Sequence, residues 1–92
     1  MLEPRNTNAL LNLAQVYYNL ENYQKTEEAL QRILQLVPLH KGALHMLGHL
    51  HYRMERYGEA VTILKRLIQA DPEYSDATTL LNMAQRHILQ ER

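Results

Sequence analysis

The 92-residue chain carries ten basic and ten acidic side chains, and no run of either sign supplies the concentrated positive face that nucleic-acid binding requires. It has no cysteine, which excludes disulfide frameworks, thiolate metal sites and cysteine nucleophiles. Its apolar runs are only a few residues long, so neither a membrane span nor a secretory leader is expected, and the expected compartment is the cytoplasm.

In chain order, Leu10, Leu13, Ala14 and Tyr17 step at three and four residues and predict a first helix over 7–20. Glu21-Asn22 breaks it from a second, over 23–36, in which Leu30, Ile33, Leu34 and Val37 repeat the spacing. Val37-Pro38 ends that helix, because the residue before a proline is driven out of the helical region. A third helix is predicted over 41–54 and a fourth over 57–70, separated by Glu55-Arg56 and closed by Asp71-Pro72. The fifth, over 75–90, has Ser75 as its expected N-cap and Ala77, Leu81, Ala84 and Ile88 as its expected inward stripe. Its other edge, Thr78, Leu81, Asn82 and Gln85, is largely polar, as expected of a helix that closes a stack.

The chain also repeats itself at an offset of 34 residues. Pro38 matches Pro72, and the same offset pairs Ala9 with Ala43, Leu10 with Leu44, Leu13 with Leu47, Tyr18 with Tyr52 and Glu21 with Glu55. It further pairs Tyr23 with Tyr57, Leu30 with Leu64, Arg32 with Arg66 and Gln35 with Gln69. Chance would give roughly two such identities at ordinary amino-acid frequencies, so each unit is one repeating pair of helices.

On these residues the chain resembles the tetratricopeptide repeat family. The framework positions are Leu10, Leu13-Ala14, Tyr17, Tyr23, Leu30, Ile33 and Pro38, then Leu44, Leu47-Gly48, Tyr57, Ala60, Leu64, Leu67 and Pro72. The resemblance implies an all-α superhelix of five antiparallel helices forming one domain over 1–92, with repeats at 7–40 and 41–74 and a capping helix at 75–92. It also implies that Ala14 and Gly48 meet a small residue, Ala60, on the second helix of a pair. Thr26 stands where the family prefers alanine, and His51 where it prefers an aromatic.

Function follows the same resemblance: a protein-protein interaction module, adaptor or scaffold, holding a peptide or a partner helix on a concave face lined by the first helix of each repeat. That face is expected to carry Asn8, Leu11, Asn12, Gln15, Tyr18 and Asn19, then His45, Met46, His49, Tyr52 and Arg53, with Thr79, Leu80 and Met83 from the last helix. Independently, Leu11-Gln15-Tyr18 and His45-His49-Tyr52 are rows at i, i+4 and i+7, which run continuously along one helix face. Amides, imidazoles, tyrosines and a methionine suit an extended polypeptide. The cationic clamp used by binders of acidic chaperone tails is missing, since Leu11, Gln15, Met46, Asp76 and Leu80 hold its places. A structural alternative is a homo-oligomer assembled through the terminal helices.

No enzyme and no cofactor are expected. The stretch His45-Met46-Leu47-Gly48-His49-Leu50-His51 has two histidines four apart, but Met46 stands where a zinc protease keeps its glutamate base. His51 points away from His49 by about 160° at helical pitch, so no third ligand is visible and no metal is expected. Glu27, Glu28, Lys65 and Arg66 read as solvated helix faces, and the three glycines form no phosphate-binding loop.

Overall fold

Consecutive helices are joined by connections of three to six residues, short enough to favour each helix running back along the one before it. A computed structural model describes residues 6–90, so residues 1–5 and 91–92 of the expected domain lie outside the described residues. The helices are α1 (Thr7–Asn19), α2 (Tyr23–Leu36), α3 (Lys41–Arg53), α4 (Tyr57–Ala70) and α5 (Ala77–Gln90), with no strand among the described residues. Helix α1 packs on α2, α3 on α4, and α5 on α4, giving an all-α stack 46 Å long and 27 by 19 Å across.

Local chemistry explains the boundaries. The side chains of Asn6 and Asn22 accept from the amides of Ala9 and Lys25, at 3.0 and 3.3 Å, at the starts of α1 and α2. His40 does the same for α3 through Nδ1, 3.1 Å from the Ala43 amide. Helices α1 and α3 end alike. The Asn22 amide donates to the Tyr17 carbonyl and that of Glu21 to Tyr18, both at 2.9 Å; Arg56 donates to His51 at 2.8 Å and Glu55 to Tyr52 at 3.0 Å.

This paired closure puts Glu21 and Glu55 at φ of 60° and 62°, the left-handed region that favours glycine. Glu21→Gly and Glu55→Gly are each expected to raise stability by up to about 1 kcal/mol. The left-handed cost of a side chain, about 1–2 kcal/mol, exceeds the extra chain entropy glycine loses, about 0.5–1 kcal/mol. Urea unfolding of the two variants measures this, and a loss of stability in both would contradict it.

The start of α5 differs from expectation. Ser75 is not its N-cap: it lies at φ 45° in the connection, and the first helical bond runs from the Leu80 amide to the Asp76 carbonyl at 2.9 Å. Leu80 is buried with Ala77 and Ala84, while Leu81 and Ile88 of the expected inward stripe are only half-buried. The outer side of α5 is less polar than expected, because Leu89 is 67% exposed beside Val61 and Ile88.

The core forms two adjoining clusters with α3 between them. Leu47 and Leu50 of α3 join Leu10, Leu30 and Ile33, while Leu44 joins Leu64, Leu67 and Leu80. At Gly48 the neighbour nearest to the missing side chain is a large one. A Cβ there would meet Leu64, with Cδ2 at 2.5 Å and Cγ at 2.9 Å, so a leucine of α4 fills the space the glycine leaves. Thr26 is fully buried and its hydroxyl donates to the Asn22 carbonyl at 2.8 Å, so the departure from alanine leaves no unpaired polar group.

Two of the expected solvated charges are engaged in pairing. Arg66 donates to the Pro38 carbonyl at 2.8 Å, tying α4 to the α2–α3 connection, and Glu27 pairs with Arg56 at 3.5 Å across the α2 and α4 ends. Beside that pair His51 is buried, and among the described residues its Nδ1 has no hydrogen-bond partner; Glu59 Oε2 lies 3.3 Å away without the alignment of a bond.

Burial pushes the His51 imidazole below its ordinary value, over the opposing pull of Glu59 and Glu27 and with a smaller push from Arg56. With the folded value below the unfolded one, the unfolded state binds more protons. The stability is therefore present above about pH 6.5 and lost as pH falls through the lower folded value. His51→Gln is expected to flatten the fall in melting temperature below pH 6.5. An unchanged slope would contradict it.

Candidate functional site

The first row read from the sequence and the His45-His49 part of the second come together between α1 and α3, whereas Tyr52 of the second row lines a different hollow. Leu11, Gln15 and Tyr18 of α1 face His45, Met46 and His49 of α3 across a depression of about 330 Å³, which Gly42 and Tyr74 complete. Gly42 leaves room at its edge, since a Cβ there would come within 3.2 Å of Leu11 Cδ2. The lining is mixed: an aliphatic and a thioether side chain, an amide, two phenols and two imidazoles.

Tyr18 is held in place by its neighbours. Its ring centroid lies 5.8 Å from that of Tyr23, and the Arg53 guanidinium stands 5.8 Å over it while donating to the Tyr23 hydroxyl at 2.8 Å. Gln15 donates to Asn19 at 3.0 Å along the same row. On α3, His45 and His49 sit edge to face at 4.6 Å, and the His45 ring meets Tyr74 at 5.3 Å.

Both imidazoles reach the same carboxylate oxygen. The Nε2 atoms of His45 and His49 lie 2.6 and 3.3 Å from Asp76 Oδ1, which belongs to the α4–α5 connection. The hydrogen bond from His45 holds the Asp76 carboxyl below the usual carboxylate range; burial opposes this and His49 adds to it.

The remaining candidates fall into three groups. Asn8 and Asn12 are exposed on α1 and do not line the depression between α1 and α3. Tyr52 and Met83 line a second, smaller hollow of about 150 Å³ between α3 and α5, together with Arg86, His87 and Gln90. There the Tyr52 hydroxyl and His87 Nε2 are 3.0 Å apart, and His87 stacks on Tyr57 at 4.3 Å. Leu80, expected on the groove, is 5% exposed and belongs to the core, because it packs with Leu44 and Leu64; Thr79 stays exposed.

Tyr74 is the residue that sequence reasoning missed as part of this site; Asp76 was placed among the clamp positions of the groove, but its meeting with the two histidines was not foreseen. The offset of 34 pairs Tyr74 with His40, a second ring following a terminal proline, which was the available signal. The same offset pairs Asp76 with Gly42, a lining residue of the depression, and the path of the α4–α5 connection brings its carboxylate to the two imidazoles.

Among the described residues, no helix is long and apolar enough to cross a membrane. No curated protein matches the chain. The family model for the anaphase-promoting complex, cyclosome, subunit 3 matches residues 1–67, which span all of the first repeat and most of the second. Five antiparallel helices in a 34-residue period agree with that match, and the chain belongs to the anaphase-promoting complex, cyclosome, subunit 3 family of tetratricopeptide-type repeats, helical modules of protein interaction.

Proposed function

We propose that the chain is a non-catalytic binding module that takes an extended polypeptide along the face formed by α1 and α3. The observation that carries this reading is the depression in which Leu11, Gln15 and Tyr18 oppose His45, Met46 and His49. Two successive first helices supply matching rows, so a chain lying across them meets adaptable apolar contacts and groups that both donate and accept. The family is named for a subunit of a complex, which agrees with a surface that meets other proteins.

The test is capture of partner polypeptides by the wild type against Leu11→Ala/Tyr18→Ala/Met46→Ala. These three line the depression without belonging to the histidine-carboxylate cluster. The variant is expected to lose what the wild type retains, and unchanged capture would remove the face from the reading.

Self-assembly through the end of the stack is favoured by one observation, the exposed Leu89 beside Val61 and Ile88. Leu89→Glu with light scattering decides it: a mass that stays that of the monomer in both forms speaks against assembly there.

A further inference from the structure

We propose that His45, His49 and Asp76 form a binding site for a divalent transition-metal ion of the zinc class. The two histidines are one turn apart on α3, and their Nε2 atoms converge on Asp76 Oδ1, at 2.6 and 3.3 Å. One ligand atom from each of the three residues lies within 4.8 Å of the others. A tetrahedral zinc ion with bonds of about 2.0–2.1 Å spaces its ligand atoms roughly 3.3–3.4 Å apart. The His49–Asp76 pair already has that spacing, and the His45–Asp76 pair reaches it by opening less than about 1 Å.

Donor chemistry and access agree with the geometry. Two imidazoles and one carboxylate are ligands that zinc accepts, and three protein ligands leave a fourth position for water or another donor. The side chains are 24%, 35% and 52% exposed, so an ion can enter from the groove. The ring of Tyr74 edge-on to His45 restrains that imidazole. The Asp76 carboxylate pairs with both of these imidazoles.

The other cluster of similar make-up, Glu27, His51 and Glu59, is different. Arg56 stands 3.5 Å from Glu27 and 4.0 Å from Glu59 and already supplies their positive charge. With Met46 in place of a glutamate base, the proposed site binds the ion without an evident hydrolytic partner.

The test is calorimetric titration of zinc ion alone into the full chain, with no polypeptide present, so its outcome is independent of the groove reading. Saturable one-to-one binding is expected. His45→Gln, His49→Gln and Asp76→Asn should each weaken it by about tenfold or more, whereas Glu59→Gln leaves it unchanged. In the wild type, imidazole NMR signals of His45 and His49 should move on zinc addition while that of His87 stays. No saturable binding by the wild type, or binding unaltered in both histidine variants, overturns the proposal, as does a loss confined to Glu59→Gln.

Discussion

Leu64→Ala is expected to remove about 2–5 kcal/mol of unfolding free energy, the range for truncating a buried leucine. Domains of this size hold about 5–15 kcal/mol in total, so the variant should sit near the edge of folding. Leu64 is fully buried and joins the second cluster to Gly48 of α3, filling the space that any Cβ at 48 would invade. Gly48→Ala should therefore lose stability as well. Overpacking costs about 1–3 kcal/mol, and the better helix propensity of alanine returns about 1 kcal/mol of it. The two changes should offset each other in the double variant, because the added methyl enters the cavity the first change creates. A favourable coupling of about 0.5–3 kcal/mol is expected from urea unfolding of the four proteins. Strict additivity would mean that the glycine and the leucine do not share this space.

Leu11→Ala/Tyr18→Ala/Met46→Ala is expected to weaken polypeptide binding by about 30-fold to 1,000-fold, which corresponds to roughly 2–4 kcal/mol. Tyr18 should contribute most, since it is an aromatic already braced by Tyr23 and Arg53 and so loses little freedom on binding. All three side chains also pack against the first core cluster, so part of any loss could come from instability. Gln15→Arg separates the two effects: Gln15 is exposed in the same depression, and its replacement leaves the core untouched. Weakened binding with an unchanged melting curve is the expected result for that variant. Full binding by both variants would contradict the groove.

Much of the architecture was legible because each level of the chain agrees with the next. Prolines 34 apart, helical spacing of leucines and the breaks at Glu21 and Glu55 mark the helices to within a few residues, and the left-handed turns then enforce the antiparallel pairs. The pairing of Leu11, Gln15 and Tyr18 with His45 and His49 was legible too, since positions at i, i+4 and i+7 share a face, but Tyr52 of the second row turns toward α5 instead. What escaped depends on contacts distant in sequence. Leu80 is the repeat mate of Met46, itself packed against the first cluster, so that position straddles groove and core. Leu64 over Gly48 depends on the rotation of α4 against α3, which spacing alone does not set. Asp76 reaches His45 through the course of a six-residue connection whose Ser75 adopts φ 45°. The sequence offered two histidines without a third ligand; the connection brings the carboxylate.

A photo-crosslinking side chain placed at Gln15, in the depression, or at Gln24, on the exposed surface of α2, tests the central claim most directly. Illumination of the chain with its partners present should trap polypeptide at position 15 and not at position 24. Trapping at position 24 alone, or at both positions equally, would contradict a binding face between α1 and α3.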